Sequence, residues 1–134
     1  MEGLRASRGI WGRARGRAAA LGAFDGLEEL EANRAVYEAN RALLLEELPK
    51  AGFSAFAPAD GAFYLYCDVG EMTNDAVAFA RAMLEETGVA TTPGLDFDAE
   101  RGHRFLRFCY AGTRQDMAEA AHRLKQWAPT RRQR

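Results

Sequence analysis

HRFLRFCYAG, His103–Gly112, is a run of strand-forming residues with one arginine, Arg107, set in its apolar middle. Side chains alternate along a strand, so Leu106, Phe108 and Tyr110 share one face while Phe105, Arg107 and Cys109 share the other. A guanidinium is charged at any ordinary pH and offers a planar fork of donors matched to a carboxylate or phosphate. Left unpaired among aromatic side chains, it is a costly buried charge. Two readings are open at this point. Arg107 snorkels to water or pairs with an acid of its own domain, or it waits for an anion from outside.

Upstream, AFYLYCDV at Ala62–Val69 is a second strand, with Phe63, Leu65 and Cys67 on one face, Tyr64 and Tyr66 on the other, and both faces reading as covered. Phe53 to Pro58 reads as a short edge strand before the Asp60-Gly61 turn, and Val89 to Thr92 as another, ended by Pro93-Gly94. A loop rich in Asp, Arg and Gly then leads into the Arg107 strand.

Helices separate these strands. After the Asp25-Gly26 break, Leu27 to Leu48 carries Leu27, Leu30, Tyr37, Leu44 and Leu48 close to one helical face, with glutamates supplying the other. At 22 residues it would span roughly 33 Å, longer than so small a domain needs. Thr73 to Asp75 start a helix lined by Ala76, Phe79, Ala80, Met83 and Leu84 and closed by Gly88. Thr113 with Asp116 resembles a capping box for the last helix, lined by Met117, Ala120, Ala121, Leu124 and Trp127 and stopped by Pro129. The expected fold is α/β of an α+β-like, two-layer kind. It has a small mixed sheet of three to four strands, helices mainly on one face, and a long N-terminal connecting helix.

The chain has 134 residues, enough for one domain, and its 48% hydrophobic and 28% charged content is that of a soluble globular protein. No stretch approaches the apolar length of a membrane span, and the basic start lacks a secretory h-region, so cytoplasm is the expected compartment. Cys67 and Cys109 read as reduced thiols, and His103 and His122 lack metal-ligand spacing. The net charge of −1 conceals an uneven distribution. Residues 1–17 hold five arginines and read as a basic, poorly ordered start, residues 129–134 as a basic tail, and 18–128 as the folded domain, with Ala18 to Phe24 a short helical turn. The body between the basic ends is acidic, which argues against nucleic acid as its partner. Binding of RNA through the Arg/Gly start is a separate, weaker reading that would show strong salt dependence.

GAFYLY at Gly61–Tyr66, TGVATTPG at Thr87–Gly94 and FLRFCYA at Phe105–Ala111, in that order, resemble the C-terminal small domain of class I and II aminotransferases. The helix carrying Tyr37, Asn40, Arg41 and Leu43 to Leu45 before Gly52-Phe53 is similar to the helix that leads into that domain, so the resemblance covers about Ala18 to Trp127. It implies a pyridoxal-phosphate enzyme of the aspartate aminotransferase fold type, acting on an amino acid and a 2-oxo acid. By motif position Arg107 is then the residue that binds the substrate α-carboxylate, with Thr92, Pro93 and Gly94 shaping the entrance. The family also needs a lysine for the Schiff base, an acid for the pyridine nitrogen and a phosphate cradle. Lys50 and Lys125 are the only lysines, and neither stands in a Ser-x-x-Lys context. The resemblance therefore implies no catalytic residue here, no cofactor bound to this chain alone, a missing large domain as partner and no activity in isolation, and it allows a homo-oligomer. The alternative is a non-catalytic binding module derived from that domain, with an apolar surface where the large domain would sit.

Overall fold

A computed structural model describes residues 19–24 and 26–131. The basic start at 1–17 and the last three residues lie outside the described residues, as does the Asp25 position of the expected helix break. The chain divides into two compact units, with the boundary after Ala35. In the first, a helical turn at 19–22 precedes the start of helix α1, Leu27–Glu47, where Leu27 and Leu30 are exposed.

The second unit holds the remainder of α1 and everything after it. The apolar stripe is buried here, at Leu44 and Leu48. Pro49 and the 3-10 turn Leu48–Ala51 follow, and Gly52 ends that turn in the left-handed conformation at φ 95°. Glycine adopts this without a Cβ penalty.

Four strands form one sheet: β1 (Ala55–Phe56), β2 (Tyr64–Asp68), β3 (Thr92–Pro93) and β4 (Phe105–Cys109). Their order is β1-β2-β4-β3. Where a mixed sheet was expected, every pairing is antiparallel. The reason lies in the connections, since the helix between β2 and β3 delivers the chain to the far side of β4, which then runs back between them. The strand expected at Val89 to Thr92 is displaced to Thr92–Pro93. Proline tolerates this because β3 is an edge strand and needs no donor on its outer side.

Helix α2 (Ala76–Thr87) is capped at its start by Asp75, whose Oδ1 accepts from the Ala78 N–H at 3.0 Å. It ends at Gly88, φ 74°, whose N–H donates to the Leu84 carbonyl. Leu84, expected on the buried face, is exposed, because eight positions after Ala76 lie about 80° round the helix from it. Helix α3 (Arg114–Arg131) begins as expected at Thr113, whose Oγ1 accepts from the Asp116 N–H at 3.1 Å. The box differs in its return bond, since the Asp116 carboxylate accepts from the Thr113 hydroxyl rather than from its backbone. The backbone stays helical through Pro129, which removes one N–H from the ladder without ending it.

The two faces of the sheet differ. Leu65 and Cys67 of β2 and Leu106 and Phe108 of β4 join one core with Ala80 and Met83 of α2 and Ala121 and Leu124 of α3. Burial pushes the Cys67 thiol up to about 12, so it behaves as an inert apolar group. Tyr64, Tyr66, Phe105 and Arg107, pointing the other way, are only half-buried, and Cys109 is exposed. The expectation that both faces of β2 are covered is thus corrected: helices cover one, and the second layer ends there.

One buried polar side chain ties α1 to this sheet. Asn40 is completely inaccessible, and its Nδ2 donates to the carbonyls of Tyr110 at 3.0 Å and Gly112 at 2.8 Å, just beyond β4. Across the same end, Tyr110 donates its N–H to the Phe63 carbonyl and its hydroxyl to that of Ala62 at 3.1 Å. These bonds hold Ala62 at φ 63°, a conformation that costs a residue with a Cβ about 1–2 kcal/mol. Glu47, at the end of α1, sits between Lys50 and Lys125. The hydrogen bonds from Lys125 first and Lys50 second hold its carboxyl down at about 2.

Two outcomes follow from these fastenings. Asn40→Ala removes the donor to one buried and one part-buried carbonyl and is expected to cost about 1–3 kcal/mol in a denaturant titration; a loss of a few tenths would refute the fastening role. The Glu47 contribution is complete above its unfolded value near 4.5 and is lost as pH falls toward about 2. Glu47→Gln should therefore be less stable at neutral pH and lose part of the acid dependence between those limits, read as the urea midpoint against pH.

Candidate carboxylate site on the open sheet face

Arg107 stands on an inner strand, not at an edge of the sheet. Its Cα pairs with Tyr66 of β2 on one side and Thr92 of β3 on the other. The guanidinium Nη2 donates to Thr92 Oγ1 at 3.2 Å. Its carbon lies 4.8 Å from the Phe97 ring centroid and 5.3 Å from that of Tyr64. Aromatic faces attract a cation through their quadrupole, and the flat guanidinium stacks on them as an ammonium cannot. Nε is buried without a partner.

No carboxylate of the described residues forms an ion pair with Arg107. Two acids of this region are committed elsewhere. Asp68, next to β4, takes Arg104 in a fork, Nε to Oδ1 at 3.0 Å and Nη2 to Oδ2 at 2.8 Å. Burial raises the Asp68 carboxyl, but the Gly70 N–H and the Arg104 guanidinium outweigh it and hold it below its ordinary value. Asp98 accepts the Arg101 and Glu100 N–H groups and pairs with the Arg101 side chain. Those bonds hold Asp98 low as well. These two acids serve the local architecture.

The loop between β3 and β4 supplies Phe97. It folds through two 3-10 turns, Gly94–Asp96 and Gly102–Arg104, whose glycines touch. A Cβ on Gly102 would lie 2.4 Å from the Gly94 carbonyl carbon, and one on Gly94 would lie 2.6 Å from the Tyr66 hydroxyl. Close backbone approach, rather than an unusual φ, requires glycine at both positions. Tyr66 stacks flat on Phe105 with centroids 4.8 Å apart, and its hydroxyl is buried without a partner. Burial, reinforced by Asp98, raises the phenol above its ordinary value.

Of the residues expected at the entrance, Thr92 touches Arg107, Pro93 continues the short edge strand, and Gly94 packs beneath the loop. Tyr64 and Phe97 were not singled out by sequence reasoning as partners of Arg107. The signal for Tyr64 was its parity on β2, usable only once β2 is known to pair with β4. Nothing in the spacing of Phe97 announces its fold-back over the strand. Both lysines lie among helix residues, Lys50 paired with Glu46 and Glu47 and Lys125 with Glu47.

The family model "Aminotransferase class I and II" matches residues 5–124. The valine–pyruvate aminotransferase of Mycobacterium tuberculosis is 45% identical over 114 residues, which cover 84% of this chain and 29% of that protein. A crystal structure from Silicibacter pomeroyi, assigned to the aminotransferases, superposes with a TM-score of 0.82 at 54% identity, covering 86% of this chain and 31% of the other. An aminotransferase structure from Mycobacterium tuberculosis gives a TM-score of 0.75 at 46% identity, over 77% of this chain and 27% of that one. The chain thus spans about 30% of the length of the relatives it matches. Matched along most of its length in sequence and in fold, the chain belongs to the class I and II aminotransferase family.

Proposed function

We propose that this chain is the substrate-carboxylate-binding part of a pyridoxal-phosphate-dependent amino-acid aminotransferase, with Arg107 as the clamp for the α-carboxylate. The observation that carries the reading is a half-buried guanidinium held between two aromatic rings, with a hydroxyl and no carboxylate as its partner. A fork so placed binds both oxygens of a carboxylate and sets the orientation of what is attached to it. Amino acids and 2-oxo acids share that group, so one site serves both partners of the exchange. The valine–pyruvate relative supports this substrate class.

Pyridoxal phosphate supplies the amino-group chemistry in enzymes of this kind. The residues of this chain do not fit it. A Schiff-base lysine must lose its proton, whereas Lys50 is held by Glu47 and Glu46, which raise it above its ordinary value. The Lys125 ammonium is engaged in an ion pair with Glu47. We therefore assign the chain binding and orientation, with Thr92, Pro93 and Gly94 at the entrance, and leave cofactor binding to the remaining two thirds of the relatives' length. In that arrangement the open sheet face, with Phe97 exposed on it, turns toward the part of the relatives that this chain does not span. A stand-alone binding module would use the same face, and a pyruvate-binding chain that also self-associates through it would favour that reading.

The purified chain, mixed with an amino acid, a 2-oxo acid and pyridoxal phosphate, is expected to show no turnover. After dialysis it should retain no absorbance band at roughly 400 to 430 nm, where a lysine-bound cofactor absorbs. Turnover or a stoichiometric band would overturn the assignment. In the complete enzyme, Arg107→Lys should raise the amino-acid KM by roughly 10- to 100-fold, the scale of one charged hydrogen bond and the fork it completes.

A further inference from the structure

Arg107 is anchored without being neutralised, and the anchor is built from two consecutive residues. Proline restricts the residue before it to extended backbone, which presets Thr92. Pro93 itself lies at φ −63° and ψ 147°, in line with the strand. A β-branched side chain then has few χ1 choices. Pairing of the Thr92 and Arg107 Cα positions across β3 and β4 completes the placement, and the hydroxyl arrives at Nη2.

The chemistry of that anchor is selective. A carboxylate in its place would hold the guanidinium more tightly but cancel the charge that a substrate needs. A purely apolar side chain would leave the charge intact but the plane free to turn about Cδ–Nε, and the two Nη groups free to exchange by rotation about Nε–Cζ. A hydroxyl accepts one N–H and leaves the cation whole. Tyr64 and Phe97 restrain the guanidinium through its faces, while Thr92 restrains it within its plane. Nε is closed off from solvent, so a carboxylate reaches the guanidinium from its terminal nitrogens. Nη2 has two hydrogens: one goes to Thr92, and the other stays available beside those of Nη1.

We propose that Thr92 is a positioning residue, whose hydroxyl fixes the plane of the Arg107 guanidinium so that its terminal nitrogens meet both oxygens of the incoming carboxylate. The inference rests on Arg107 being the carboxylate site. It assigns Thr92 a role distinct from shaping the entrance.

The test uses the full 134-residue chain labelled with 13C,15N-arginine, with the Arg107 signals identified by their loss in Arg107→Lys. NMR exchange between the two Nη signals measures rotation about Nε–Cζ, and titration with pyruvate measures carboxylate binding. Thr92→Val keeps the branched shape and removes the hydroxyl. It should speed the rotation and weaken pyruvate binding roughly tenfold each, the scale of one lost hydrogen bond to a charged group. Thr92→Ser should restore both, which a role confined to strand packing would not produce. Should the valine variant fail to fold, Thr92→Ala carries the same expectation. Unchanged rotation on removing the hydroxyl, or no rescue by serine, would overturn the proposal. Wild-type chain that does not bind pyruvate, with rotation still dependent on Thr92, would instead overturn the carboxylate reading of Arg107 and leave the Thr92 restraint standing.

Discussion

The antiparallel pairing of β2 with β4 governs both the core and the site. Its register sets Leu65 against Phe108, Tyr66 against Arg107 and Cys67 against Leu106. Alternation is strict, so sending Leu65, Cys67, Leu106 and Phe108 toward the helices sends Tyr64, Tyr66, Phe105 and Arg107 the other way. A slip of one residue in β4 would drive the guanidinium into the apolar layer and lift Phe108 out of it. Phe108 is also held edge-on by Phe53, with centroids 5.2 Å apart. Core packing thereby specifies where the arginine points, and the site needs no separate folding instruction.

The end of β4 is where the remaining constraints meet. Tyr110, the next residue, has its carbonyl held by Asn40, its N–H by Phe63 and its hydroxyl by Ala62. These bonds join α1, the turn before β2 and the exit of β4. The Asp68–Arg104 fork does the same at the opposite end, where the Val69 N–H also donates to the Arg104 carbonyl. Arg107 lies between the two fastened ends, on a strand that has little freedom to shift. A rigid platform of this kind suits orientation of a substrate better than a loop would.

Much of this was legible in the residues. Period-2 runs marked β2 and β4, Asp75 and Gly88 bracketed α2, and the parity of Leu106, Phe108 and Tyr110 separated the buried face of β4 from the face of Arg107. What escaped depended on relations between segments. The direction of pairing cannot be read from a strand alone, so the sheet appeared mixed. Both tyrosines of β2 looked like covered residues because aromatic side chains serve core and site alike. Leu84 failed by its angular drift and Pro129 by its position late in a helix that packing already secures. The Arg107 neighbourhood was the hardest part, because Thr92 and Phe97 come from an edge strand of two residues and a loop whose course depends on the contact between Gly94 and Gly102.

An arginine left without an anion carries a free-energy cost, and its size helps explain the surroundings. The unpartnered buried Nε–H costs about 1–3 kcal/mol. Two aromatic faces return about 0.5–2 kcal/mol each, so the guanidinium is roughly balanced rather than strained. That balance would not hold for lysine, whose strongly hydrated ammonium lacks a flat surface to stack and a second terminal nitrogen to present. Nor would it hold with an acid nearby, since stability would rise while the affinity for a carboxylate fell. Asp68 and Asp98 are both engaged by other arginines, which keeps these two acids from pairing with Arg107.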